Sequence, residues 1–167
     1  MFRLLLPLLF LLPVSLAAQD MSNVRLDSIF HAVLDSVSGD LGRWELTFGE
    51  VKMLCLTDEN NDRMRLITPV QDVKEATPAE IFACMEANFH SALDVKYALS
   101  DDFIWVAYIH PLSPLRDDQL LDAISQVRNA ALTYGTIYTS TNLTFPGSKA
   151  EEKREEVKKK KKKGNKS

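Results

Sequence analysis

Apolar and polar residues alternate along several short stretches in the middle of the chain. In the first stretch, Trp44, Leu46 and Phe48 are separated by single polar residues. A period of two is typical of a strand with one buried face and one solvated face. Comparable runs follow at residues 50–56 and 63–70, each preceded by turn-forming residues. We therefore predict a meander of three antiparallel strands.

A hairpin is predicted further along, on either side of a turn at Ser100, Asp101 and Asp102. Its second strand, residues 103–109, is apolar at every position, and a strand that is apolar on both faces needs cover on both. A helix can cover one face, which leaves the other for self-association or for a client protein. The alternative is that loops cover it. The candidate partner-binding residues are Phe103, Trp105, Ala107 and Ile109.

Three helices are indicated by apolar residues at spacings of three and four. The first runs from Ser22 or Asn23 towards Gly39, and the third begins near Asp117 and can cover the hairpin. The second is predicted over residues 78–90, because Thr77 and Glu80 form the pattern of a capping box around Pro78. The apolar stripes expected to be buried contain Leu26, Ile29, Phe30, Val33, Leu34 and Val37 in the first helix, Ile81, Phe82, Met85 and Phe89 in the second, and Leu120, Ile124, Val127, Ala131 and Tyr134 in the third.

Taken together, these elements predict an α+β fold in the order α-β-β-β-α-β-β-α. The expected architecture is an antiparallel sheet of about five strands with helices packed on one face. Residues 19–146 provide this single domain, which has a suitable length.

The N-terminal residues 1–18 have the composition of a secretory signal peptide. Arg3 precedes an apolar run that ends in small residues, and the run is shorter than the roughly 20 residues needed to span a bilayer. Cleavage is expected near Ala17 or Ala18, which would release the protein into the periplasm or the medium. Residues 147–167 are rich in lysine and almost free of apolar residues, so we predict a disordered tail.

Charge is divided unevenly between domain and tail. Residues 19–146 contain 19 Asp and Glu against 9 Lys and Arg, a formal charge of −10, whereas residues 147–167 have a charge of +6. An acidic domain favours basic partners and disfavours nucleic acid. The tail has two interpretations, a solubilising segment or a tether to an anionic envelope surface. The tether would use Lys158, Lys159, Lys160, Lys161, Lys162 and Lys163.

No catalytic, cofactor-binding or metal-binding motif is present, so we predict neither an enzyme nor a small-molecule substrate. The acidic loop at residues 58–62 lacks the glycine and terminal glutamate of a calcium loop. Cys55 and Cys84 are the only cysteines. In an oxidising compartment they are candidates for a disulfide, and the alternative is two buried thiols.

The segments LDSIFHAVLDSV, MEANFHSAL, KYALSDDFIWVAYIHPLSPL and LLDAISQVRNAALTYG carry a resemblance in their order and pattern. Together with Asn88 near the end of the middle helix and the corner at residues 111–115, they resemble the type III secretion chaperone fold of CesT-like (Tir chaperone) and YbjN-domain proteins. The resemblance covers about residues 21–138. It implies a non-enzymatic homodimer that holds extended segments of a client protein. The export signal departs from the secretion chaperones and favours the YbjN-like branch.

Overall fold

Three helices and six strands surround one hydrophobic core in the computed structural model, which describes residues 20–141 and residue 143. The predicted α+β class is confirmed, with one strand more than expected. In chain order the elements are α1 (Asn23–Val33), β1 (Ser36–Asp40), β2 (Arg43–Phe48), β3 (Val51–Asp58), β4 (Arg63–Asp72), α2 (Pro78–His90), β5 (Lys96–Ser100), β6 (Phe103–His110) and α3 (Asp117–Thr133).

All six strands join one antiparallel sheet in the order β1-β2-β3-β4-β6-β5. The first four strands form a meander, as the alternation of apolar and polar residues predicts. The chain then passes through α2 and β5 before β6 returns to pair with β4. This return places the doubly apolar strand β6 inside the sheet, with β5 at the edge.

The extra strand β1 corrects the predicted extent of the first helix. With Ser22 as its N-cap, α1 ends at Val33, so Val37 lies in β1 and pairs with Leu46. The chain leaves the helix at Leu34 and pairs with β2 from Ser36 onwards, and Gly39 approaches β2 closely. A Cβ atom on Gly39 would lie 2.3 Å from the carbonyl oxygen of Arg43, and its φ of 108° is unfavourable for other residues.

The helices pack on one face of the sheet, here called the inner face. Its side chains form most of the core, and α3 lies across β4 and β6. The predicted stripe of α3 is largely confirmed, because Leu120, Ile124 and Val127 are fully buried, while Ala131 and Tyr134 are half-buried. The buried inner-face residues include Trp44, Leu46, Met53, Cys55, Met64, Leu66, Ile104, Val106 and Tyr108.

The hairpin between β5 and β6 turns at two aspartates. Asp101 and Asp102 have φ angles of 48° and 64°, which are the left-handed values that a two-residue type I′ turn requires. Short polar side chains tolerate this conformation better than branched ones do. The predicted turn is therefore confirmed.

The acidic loop between β3 and β4 is held by internal hydrogen bonds. The carboxylate of Asp62 accepts from the Ser113 backbone N–H at 2.6 Å and from its hydroxyl at 3.0 Å. Asp58 accepts from the backbone and side chain of Asn61. The carbonyl of Ser113 in turn accepts from the N–H of Met21 at 3.0 Å, so this corner also anchors the chain before α1.

The predicted signal peptide at residues 1–18 and the predicted tail at residues 147–167 lie outside the described residues. Within the described part of the chain, no helix combines the length and apolar character needed to cross a bilayer.

Candidate binding surfaces

The face of the sheet opposite the helices, here called the outer face, is the first candidate site. On β6, Ile104, Val106 and Tyr108 point towards the helices and are at most 6% exposed. Because strand side chains alternate, the intervening positions point outwards. The structure therefore brings the predicted residues Phe103, Trp105, Ala107 and Ile109 together on the outer face.

Neighbouring strands extend this apolar surface. Ile67 on β4 lies opposite Ala107, and Leu54 on β3 lies opposite Ile67. We define the apolar centre of the outer face as Leu54, Ile67, Pro69, Phe103, Trp105, Ala107 and Ile109. The sequence identifies the β6 residues through their unbroken apolar run. It does not show which residues lie beside them, since the pairing of β4 with β6 spans the whole of α2 and β5.

The indole ring of Trp105 reaches the end of the neighbouring strand β5. Its indole N–H donates to the carbonyl of Ser100 at 2.9 Å, and its ring meets that of Phe103 edge-on, with 6.3 Å between centroids. Trp105 is half-buried, whereas Phe103 is 40% exposed and Ile109 is 56% exposed. The indole polar group is thus already satisfied, and the open ring surface offers apolar contact.

Basic side chains border the apolar centre. Arg65 lies opposite Ile109, whereas Lys96, which lies opposite Ala107, donates its ammonium to the backbone carbonyls of Asn88 and Leu93. Lys52 lies on the same face of β3, two residues before Leu54. A ligand on the outer face would therefore meet apolar surface and positive charge together.

A second exposed apolar surface lies on α2 and corrects the predicted buried stripe. Phe82, Met85 and Phe89 are 66%, 63% and 81% exposed, whereas Cys84 and Ala87 are buried. We call Phe82, Met85 and Phe89 the α2 ridge. Ile81, the fourth residue of the predicted stripe, is half-buried.

The cause of this reversal is the contact between α2 and β5. The side-chain amide of Asn88 hydrogen-bonds the backbone of Tyr97, which draws the helix against the edge strand. Small residues on the same side of α2, Cys84 and Ala87, permit the close approach. The larger apolar side chains then point to solvent.

The two cysteines are buried free thiols, which corresponds to the second of the two alternatives left open by the sequence. Cys55 lies on β3 and Cys84 lies on α2, which packs against β5. Strands β3 and β5 are separated by β4 and β6, about 14 Å at the usual strand spacing. This separation is about twice the Cα distance that a disulfide allows. Burial raises the pKa of the Cys55 thiol to about 12, which opposes any nucleophilic role.

Two carboxylates share a cleft of about 390 Å³ between β5, β6 and α3. The amide nitrogen of the buried Gln126 donates to Asp94 at 2.9 Å and to Asp122 at 2.7 Å. This arrangement links α3 to the start of β5 and uses both carboxylates structurally. Among the residues that the structure describes, no cluster of three His, Cys, Asp or Glu side chains could hold a metal ion.

The remaining predicted contact residues, Lys158 to Lys163, lie outside the described residues. His31, which falls off the apolar stripe of α1, is exposed and lies 3.7 Å from Asp27.

No family model matches the chain, and no curated protein matches it. One solved structure with a similar fold is described as "Structure of the HopA1-SchA Chaperone-Effector Complex". The match has a TM-score of 0.52 and 10% sequence identity, and it covers 67% of this chain and 94% of that chain. At this identity the likeness concerns the fold alone. The described chain therefore shares its α+β fold with a chain of that complex.

Proposed function

We propose that this protein is a non-enzymatic, chaperone-like module that binds an extended segment of a client protein on its outer face. The observation that carries the proposal is the partly exposed apolar centre around Trp105, on a sheet whose other face is fully occupied by helices. Contiguous apolar surface of this kind is uncommon on a protein without a partner.

The comparison adds support from fold analogy. The similar solved structure is that of a chaperone–effector complex, so a related fold occurs in a complex of a chaperone with another protein. Fold analogy does not determine function by itself, and the proposal therefore depends on the outer face of this chain.

The test is suppression of aggregation of reduced insulin B chain, followed by light scattering with the full chain. Trp105→Lys should abolish suppression while the circular dichroism spectrum stays unchanged. Leu121→Lys is the matched control, because Leu121 is 41% exposed on α3, away from the outer face. Equal suppression by the wild type and Trp105→Lys would refute the proposed site.

We further propose a homodimer, with the α2 ridge as the contact between the two copies. A two-fold interface uses one patch twice, so a single ridge of three large apolar side chains is sufficient. Of the two uses that the sequence leaves open for the outer face of β6, self-association and client binding, this arrangement assigns that face to the client.

Sedimentation of two charged variants distinguishes the role of the α2 ridge from that of the outer face. Phe89→Glu should give folded monomers, and Trp105→Lys should remain dimeric. A wild-type chain that sediments as a monomer at micromolar concentration would exclude the dimer and leave the client site untouched.

Export and membership of the YbjN-like branch are also proposals, and both depend on the signal-like composition of residues 1–18. N-terminal sequencing of the protein from its host should begin at Ala18 or Gln19. An uncleaved chain in the cytoplasm would contradict export.

The second candidate function is an accessory protein tethered to anionic envelope surfaces by Lys158 to Lys163. Each lysine contributes on the order of 1 kcal/mol near such a surface. Deleting residues 147–167 should abolish adsorption to anionic vesicles without lowering the melting temperature. Equal adsorption by the shortened chain would refute the tether.

A further inference from the structure

The cations of the domain are concentrated on the outer face. Residues 19–146 contain nine Lys and Arg, and five of them occupy outward positions of the sheet. These five are Arg43, Lys52, Arg63, Arg65 and Lys96. Four of the 19 acidic residues in the same range, Asp40, Glu45, Asp58 and Asp72, occupy outward positions of the strands. The outward strand positions thus have a formal charge of +1, five cations against four anions, on a domain whose formal charge is −10.

The cations on and off the outer face also differ in their partners. Away from it, Arg25 pairs with Asp117, Arg116 with Asp118 and Arg128 with Glu50. On it, Arg43, Lys52 and Arg65 form no ion pair with any residue that the structure describes. The unpaired cations are therefore available to a ligand.

The spacing between charge and apolar surface is short. Arg65 is one strand away from Ile109, and Lys52 is two residues away from Leu54 on the same face of β3. These separations correspond to about 5 and 7 Å. A single extended peptide can span them, because its successive residues advance about 3.3 Å.

We propose that the client segment bound by the outer face is apolar and acidic, with its carboxylates placed on Lys52 and Arg65 and its apolar side chains on the centre around Trp105. This inference rests on the proposed client-binding function. The net charge of the domain predicts a basic partner, whereas the outer face is proposed to bind an acidic one. Opposite charges at the rim of an apolar contact mainly confer specificity and faster association.

A basic and apolar surface could also meet an anionic membrane, but the geometry of Trp105 favours a peptide. Its indole N–H is bonded to Ser100 and its ring lies half-buried along the sheet. Membrane-interface aromatics insert an apolar body between lipids. A half-buried ring bonded to the neighbouring strand instead stays against the sheet, where an extended chain can contact it.

The test uses two fluorescent synthetic peptides with the same alternating apolar residues, one with glutamate and one with lysine at the polar positions. Fluorescence anisotropy with the full chain should show at least tenfold tighter binding of the acidic peptide. The double variant Lys52→Glu/Arg65→Glu should remove this preference. The control Lys74→Glu/Arg116→Glu makes the same charge change away from the outer face and should keep it.

Equal binding of both peptides, or an equal loss in both double variants, would overturn the acidic preference while insulin suppression kept the client-binding function. Binding of phosphatidylglycerol vesicles that is lost in Lys52→Glu/Arg65→Glu, without peptide binding, would overturn the peptide in favour of a membrane. Failure of both the peptides and the insulin assay would refute the proposed function itself.

Discussion

The side-chain amide of Asn88 hydrogen-bonds both backbone groups of Tyr97. Its oxygen accepts from the Tyr97 N–H at 2.7 Å, and its nitrogen donates to the Tyr97 carbonyl at 3.0 Å. Tyr97 lies on the edge strand β5, where backbone groups facing away from β6 have no further strand to pair with. One side chain thus takes the place of a neighbouring strand at this position and joins α2 to the sheet.

Asn88→Ala should therefore lower the free energy of unfolding by about 1–3 kcal/mol, because it leaves two partly buried backbone groups without a partner. The measurement is the guanidinium midpoint followed by circular dichroism. Asn60→Ala, in the exposed loop between β3 and β4, should change the free energy of unfolding by less than about 0.5 kcal/mol. An unchanged midpoint for Asn88→Ala would show that the amide adds nothing to the edge.

The N-terminus of α2 should depend on its capping box. Thr77 accepts from the N–H of Glu80 at 3.3 Å, and the Glu80 carboxylate accepts from the N–H of Thr77 at 2.7 Å. Thr77→Ala should cost about 1 kcal/mol of stability in urea unfolding. Ser28→Ala, on the exposed side of α1, should leave the stability in urea unfolding unchanged. A Thr77→Ala variant as stable as the wild type would contradict the role of the cap.

Both thiols should resist modification in the folded protein. Burial raises the pKa of Cys55 to about 12 and that of Cys84 to about 11, so the reactive thiolate is scarce at pH 8. A disulfide-exchange reagent should label neither cysteine in native buffer and both after unfolding without reductant. Leu132→Cys places a thiol at a 41% exposed position and should react at once. Fewer than two thiols after unfolding would mean that the cysteines are oxidised.

Asp62 should make stability depend on acidic pH. The Ser113 N–H lowers the pKa of the Asp62 carboxyl, with a further contribution from the Ser113 hydroxyl. Because the folded state favours the ionised form, this stabilisation is complete above the ordinary Asp pKa of about 3.9. It is lost as the pH falls through the lower folded value.

Asp62→Asn should therefore be less stable than the wild type at pH 7, and the difference should shrink at pH 3. Urea midpoints at the two pH values measure this. Glu59→Gln removes a charge from the same loop and should show no such change. A difference between Asp62→Asn and the wild type that is the same at both pH values would refute the linkage.

Local interactions explain the elements that could be predicted from sequence. The capping box sets the start of α2, and the aspartate pair at 101 and 102 sets the hairpin turn. The stripe of α3 identifies its buried face because polar residues occupy the other side. These features depend on residues within a few positions of one another, so sequence spacing alone is sufficient. The β6 part of the outer face was identified in the same way, from an unbroken apolar run.

Contacts between residues far apart in the sequence determined the features that the sequence did not predict. Periodicity shows which side chains of α2 share a face, but the contact between Asn88 and Tyr97 determines which face points inwards. Helix α1 ends at Val33, before Gly39, because the following residues pair with β2 as strand β1. The order of the strands separates Cys55 from Cys84 and places Lys52 and Arg65 at the border of the apolar centre. Composition predicts an acidic domain, whereas the positive outer face exists only once the strands are paired, because pairing determines which charges become neighbours.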